Sequence, residues 1–195
     1  MTDQPRLLAF AGSTREASFN KRLIRVAADG ARAAGADVTL IDLRDHPLPL
    51  YDGDLERDEG LPANALELKA LFGAHDGLLI SAPEYNGGMS GVLKNTIDWI
   101  SRQGDDDQPL AAYTGKVCGL MSASPGGLGG VRGLAHVRQI LTGLGVLVIP
   151  QQRAVSNAAN AFDADGKLQD SAQQAAIESI GARVTDLVRR LSGER

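Results

Sequence analysis

Three stretches of this chain collect residue types able to hold a polar ligand. In "GSTREASFN" (12–20), Ser13, Thr14, Arg15, Ser18 and Asn20 precede a helical pattern. A terminal phosphate monoester carries close to two negative charges and three acceptor oxygens. Hydroxyls, a guanidinium and the free N–H groups of a helix start answer that demand. Ordinary capping explains the same residues, because Ser and Asn favour a helix start anyway. In "PEYNGGMSG" (83–91), Pro83 stiffens a strand exit. Glu84, Tyr85 and Asn86 then present a carboxylate, an aromatic face and an amide, and Gly87 and Gly88 permit close backbone approach. Taken alone, this stretch reads as a surface turn. In "SASPGGLGG" (122–130), Gly126, Gly127, Gly129 and Gly130 would let main-chain amides approach a planar ligand, or would simply form a flexible turn. Neither G-x-G-x-x-G nor the Walker pattern occurs; Arg132 stands where a last glycine would be needed.

The elements around these stretches alternate. Short apolar runs at 6–12, 37–43, 77–84, 116–124 and 146–155 read as buried strands. Helical patterns cover 20–35, 63–75, 90–102, 129–145 and about 171–191. In the first, Leu23, Ile24, Ala27, Ala28 and Ala31 share a face, and Gly35 is a C-terminal stop. Ser90 is placed to cap the third. Segments 48–62 and 103–115 read as polar loops. The run Asp105, Asp106 and Asp107 is assigned to a solvated loop and not to a metal site, since consecutive side chains cannot all face one ion.

Alternating βα units imply a parallel sheet covered on both faces. Five of them predict an α/β, flavodoxin-like three-layer sandwich with a five-stranded parallel sheet of order 2-1-3-4-5, formed by residues 1–195 as a single domain. In that order the exits of strands 1, 3 and 4 are neighbours, and these exits are the three stretches above. One suits a phosphate and two suit a flat heterocycle with hydrogen-bonding edges. Flavin mononucleotide (FMN) fits that combination best.

Bulk properties narrow the function classes. The net charge of −4 offers no strong attraction to nucleic acid. The single Cys118 forbids an internal disulfide and reads as a small buried hydrophobe. No basic leader precedes "LLAFAG", and no apolar run approaches the roughly 20 residues of a membrane span, so a cytoplasmic location without membrane contact is expected. His46, His75 and His136 are scattered singly and are read as structural.

"GSTREASFNKRL", "PEYNGGMSGVLKNTIDWISR" and "SASPGGLGGVRGLAHVRQIL" resemble the signature blocks of the NADPH-dependent FMN reductase family, which includes bacterial quinone and chromate reductases and azoreductase-like enzymes. The resemblance spans nearly the whole chain. It implies that Ser13, Arg15, Ser18, Phe19 and Asn20 hold the FMN phosphate. By the same resemblance, Pro83, Glu84, Tyr85 and Asn86 border the ribityl chain and ring, and Ser122, Ala123, Ser124 and Gly126 touch the ring from the other side. It further implies NADPH or NADH as co-substrate, a small-molecule electron acceptor, and a homodimer or homotetramer. One departure stands out: after Pro-Glu-Tyr-Asn the family continues with a larger residue, Ser, an aliphatic residue, Pro and Gly. This chain has Gly87, Gly88, Met89, Ser90 and Gly91, so a hydroxyl and a rigid proline are missing from the site's edge.

With FMN bound, the cofactor would carry the hydride chemistry, in ping-pong order with an acceptor such as a quinone, chromate, an azo compound or free flavin. No catalytic side chain and no metal are then required, and Glu84 and Tyr85 could tune the flavin. A non-enzymatic flavodoxin-type carrier and a flavin-free regulatory domain on the same fold remain alternatives at this point.

Overall fold

The computed structural model describes residues 4–104 and 108–193; the run Asp105–Asp107 lies outside the described residues. The chain order is β1 (Arg6–Ala11), α1 (Phe19–Ala33), β2 (Asp37–Asp42), α2 (Gly53–Glu59), α3 (Ala63–Ala74), β3 (Gly77–Ser81), β4 (Glu84–Tyr85), β5 (Gly88–Met89), α4 (Gly91–Ser101), β6 (Val117–Ala123), α5 (Val131–Gly143), β7 (Leu147–Val155), a short 3₁₀ turn (Ala158–Asn160) and α6 (Ser171–Ser192). The large sheet runs β2-β1-β3-β6-β7, all parallel. Numbering only that sheet's strands gives 2-1-3-4-5, the expected flavodoxin-like order.

Strand alternation sorts the core into two layers. Leu7, Ala9 and Ala11 of β1 pack with α1 and α6, beside Leu23, Ala27, Ile180 and Val184. Leu8 and Phe10 face the opposite side, with Leu68 and Phe72 of α3, Leu93 and Ile97 of α4, and Leu134 of α5. Cys118 is fully buried, and burial pushes its thiol up, so it is a core residue.

Three local differences from the sequence expectation matter. The third strand ends at Ser81, not at 84, and the chain then forms a separate antiparallel hairpin, β4–β5, pairing Glu84 with Met89 and Tyr85 with Gly88. The segment 48–62 holds the helix α2, capped by Asp52, whose side chain accepts from the Asp54 N–H. The last strand is irregular: Cys118 pairs with Val148 but Leu120 with Gln152, so β7 bulges opposite Gly119. Arg138 of α5 fills the gap, donating to the Val148 carbonyl at 3.1 Å and the Ile149 carbonyl at 2.8 Å.

Among the described residues no helix is long and apolar enough to cross a membrane.

Candidate functional site

The exits of β1, β3 and β6 meet at one rim of the sheet, and side-chain hydrogen bonds lock them together. Asn20, in the first turn of α1, reaches across to the end of β6: its Nδ2 donates to the Ala123 carbonyl at 2.8 Å and its Oδ1 accepts the Ala123 N–H at 3.0 Å. The same Oδ1 accepts from the Ser81 hydroxyl at 2.9 Å. Ser90 caps α4, its Oγ accepting from the Leu93 N–H at 3.3 Å and donating to the Gly12 carbonyl at 2.6 Å. The hydroxyl therefore fastens α4 to the β1 exit where the family places a proline. The Ser90 backbone, at φ −66° and ψ 148°, is itself compatible with proline.

The hairpin owes its form to Asn86 and Gly87. Their φ angles are +52° and +82°, the left-handed pair of a two-residue type I′ turn, for which Asn-Gly is the favoured dipeptide. That signal stands in the sequence, and the strand expectation over 77–84 passed it by. The hairpin leaves Tyr85 52% exposed at the rim.

Glu84 does not point outward. Its side chain is only 7% exposed, and its Oε2 accepts the N–H groups of Arg132 at 3.0 Å and Gly133 at 3.1 Å. Its Oε1 accepts from Arg132 Nε at 2.8 Å and pairs with the same guanidinium's Nη2. Glu84 thus caps the start of α5 with a negative charge, the favourable sign for a helix N-terminus. Burial alone would raise its carboxyl, but the Gly133 N–H, the Arg132 guanidinium and the Arg132 N–H hold it below the ordinary value.

The glycines of the third loop divide by role. A Cβ on Gly130, whose φ is +96°, would stand 2.0 Å from the Ser122 hydroxyl, and one on Gly129 would meet the β7 backbone at 2.9 Å. These two are packing glycines. Gly126 and Gly127 are open: a Cβ on Gly127 meets nothing within 4 Å. Ser122 is fully buried beneath Gly130, and its hydroxyl has no hydrogen-bond partner among the described residues.

The remaining expected residues fall as follows. Ser13 and Ser18 are buried at the loop's base, and the Ser13 hydroxyl accepts the Arg15 N–H at 3.3 Å. Phe19 stacks on Phe162, ring centroids 6.5 Å apart and planes within 2°. Arg15 is exposed, and its guanidinium has no ion-pair partner among the described residues. Pro83 is buried and Ser124 half-buried. Of the histidines, His75 is buried and bonded to Leu71 and Thr39, whereas His136 is exposed beside the hairpin.

One wall escaped the sequence reading. After β7 the chain returns over the rim: the Asn157 N–H donates to the Gly126 carbonyl at 3.3 Å and the Ala158 N–H to the Ser124 carbonyl at 3.0 Å. No motif marks this segment; only its polar composition hints at a structured loop.

The rim is a shelf rather than an enclosed cavity. Thr14, Arg15, Tyr85, Pro125, Gly126 and Gly127 are all exposed along it. At one end are the Arg15 guanidinium, two buried hydroxyls and the N–H groups of Phe19 and Asn20, the first of α1, since the Ser18 carbonyl already accepts from Lys21 and Arg22. At the other are unobstructed glycines. A phosphate with a flat ring attached fits this division of the shelf.

Comparison with known proteins agrees. Residues 5–160 match the model of the NADPH-dependent FMN reductase family. The chain belongs to that family. It is 36% identical over 194 residues to an NAD(P)H-dependent FMN reductase of Pseudomonas aeruginosa, covering 99% of this chain and 100% of the relative. It is 38% identical over 149 residues to a quinone reductase of Escherichia coli, covering 76% of each. The solved structure of FerB, a flavoenzyme NAD(P)H:(acceptor) oxidoreductase from Paracoccus denitrificans, superposes with a TM-score of 0.80 at 26% identity, over 95% of this chain and 98% of that one. Kinship thus places the chain among the FMN-dependent, NAD(P)H-using oxidoreductases.

Proposed function

We propose that this reductase passes electrons from NAD(P)H, through FMN held on the shelf, to a quinone or a similar small acceptor such as chromate, an azo compound or free flavin. The observation that carries this reading is the hydrogen-bonded lock across the three strand exits, which leaves the start of α1 and the Gly126–Gly127 edge uncovered. FMN held there would supply the redox chemistry, namely hydride acceptance from a nicotinamide and electron donation to the acceptor.

The chain's own task is to bind and orient. Ser13, Ser18, the Arg15 guanidinium and the backbone N–H groups of Phe19 and Asn20 hold the phosphate. The Asn20 side chain contributes by fixing those N–H groups, since both its polar atoms are engaged with Ala123 and Ser81. Pro83, Glu84, Tyr85 and Asn86 border one side of the ring, with Glu84 acting through the hairpin it anchors. Ser122, Ala123, Ser124 and Gly126 form the other border, Ser122 from beneath. Because the shelf is open, nicotinamide and acceptor can occupy one place in turn, which gives ping-pong order. The protein works in the cytoplasm as a homodimer or homotetramer.

The test is the visible absorption spectrum of the purified protein, followed by anaerobic NAD(P)H addition. A yellow protein that bleaches and regains colour on adding quinone supports the reading. A colourless protein that takes up no FMN would sink it.

A further inference from the structure

The hairpin departs from the family pattern at a position that opens a second surface. Gly88 stands where that pattern has serine. It pairs with Tyr85 across the turn, and opposed positions of an antiparallel pair face the same side. A Cβ on Gly88 would stand 3.7 Å from His136 Nδ1. A side chain there would therefore fill the space between Tyr85, at the rim of the shelf, and the His136 imidazole. With glycine that space is open, and it leads from the shelf into a groove of about 740 Å³ between α4 and α5. Small-molecule sites run from about 300 to 1,000 Å³.

The groove is largely apolar. His136, Ile140 and Gly143 recur at helical spacing on α5 and form one stripe, about 10 Å long at 1.5 Å per residue. Met89 and Ile140 wall it, and both are half-buried against the core layer that holds Leu93 and Leu134, so they are fixed in place. Gly91 and Gly143 add no side chain, and a Cβ on either would meet nothing within 4 Å. Lys94, the one Lys or Arg along the groove, is paired with the Asp98 carboxylate at 2.6 Å, one turn further along α4. Hydrogen bonds are on offer mainly from His136, at the Gly88 end, and from Gln139.

We propose that this groove holds the uncharged aliphatic side chain of a quinone whose ring lies on the shelf, so that the protein selects acceptors carrying an apolar chain. This rests on the oxidoreductase reading above and narrows its acceptor. An apolar floor favours the removal of methylene groups from water. With Lys94 paired, the groove presents no free Lys or Arg to a charged substituent. A quinone ring on the shelf has its substituent near Tyr85, and the gap at Gly88 is the way from there into the groove, past His136.

The test is kcat/KM of the flavin-loaded protein for one quinone ring bearing a methyl, butyl or octyl chain, a series that leaves the ring's chemistry nearly the same. From methyl to octyl kcat/KM should rise about tenfold or more, since each buried methylene is worth up to about fourfold. Gly143→Leu fills the far end of the groove and Gly88→Ser closes its mouth. Each should flatten the series, and either serves if the other folds poorly. Binding is read without turnover from the methyl signals of methionine-labelled, oxidised protein. The octyl quinone should shift the Met89 signal more than the methyl quinone does, while the fully buried Met121 holds its position. A flat series in the native protein, or a steep one that both variants leave unchanged, would overturn the proposal. So would Gly143→Leu altering the protein's native mass with the steep series intact, which marks the groove as a contact between two copies. Reduction of all three quinones with a flat series keeps the oxidoreductase reading and removes the groove's role; reduction of none removes both.

Discussion

Asn20 and Ala123, 103 positions apart, are joined by two hydrogen bonds that imitate a strand pairing: the Asn20 side chain gives one to the Ala123 carbonyl and takes one from its N–H. The side chain thereby completes the last residue of β6 and holds the start of α1 against the strand exits. Asn20→Ala leaves a buried N–H and carbonyl without partners. We expect a loss of about 2–3 kcal/mol in urea unfolding, or roughly 2–4 °C of melting temperature per kcal/mol for a chain of this size. FMN affinity should fall with it, although the Asn20 side chain faces the protein.

Glu84 makes the hairpin and α5 one body, and its charge has a signed pH consequence. The folded carboxyl lies below its ordinary value of 4.5. Its contribution to stability is therefore fully present above that value and is lost as pH falls through the lower, folded one. Glu84→Gln should melt lower than the native protein at neutral pH, with the gap closing in strongly acidic buffer. A gap that stays constant with pH would show that the carboxylate's charge contributes nothing.

Gly127 and Gly130 are expected to respond oppositely to the same substitution. Gly130→Ala forces a side chain onto a φ of +96° and to within 2.0 Å of the Ser122 hydroxyl. It should cost about 3 kcal/mol or more. Gly127→Ala adds a methyl group in open space and should leave stability within about 0.5 kcal/mol. If the ring of FMN lies along this edge, Gly127→Ala should nonetheless weaken flavin binding, measured by fluorescence on titrating the apoprotein.

Ser90 fills the place of the family's proline by a different means. Ser90→Ala removes the cap on Leu93 and the bond to the Gly12 carbonyl, and should cost about 1–2 kcal/mol. Ser90→Pro loses the same bonds but restricts the unfolded chain at a φ that proline accepts, so it should recover roughly 0.4–1 kcal/mol of that loss. Thermal melts of both variants check the order.

Much of this was legible in the chain as written. The strand and helix periods produced the layers, and the alternation of elements produced the sheet order, because burial on both faces of a parallel sheet allows few other solutions. The three exit loops were legible as a set for the same reason. Asn86–Gly87 carried a readable hairpin signal, since only certain residues tolerate two successive positive φ angles. Ser90 was recognisable as a cap from its place before an apolar helical run.

Only the tertiary structure decided what each polar group faces. Glu84 looks like a ligand carboxylate in sequence, but it turns to the start of α5, 48 positions away from Arg132. Asn20 looks like a phosphate ligand, and its side chain serves Ala123 instead. Gly129 and Gly130 look like Gly126 and Gly127, but the first two are pressed against β7 and Ser122 while the others are open. The reason is physical. Local sequence sets backbone conformation within a few residues, whereas the partner of a hydrogen-bonding group depends on which distant segment the folded core brings within about 3 Å of it.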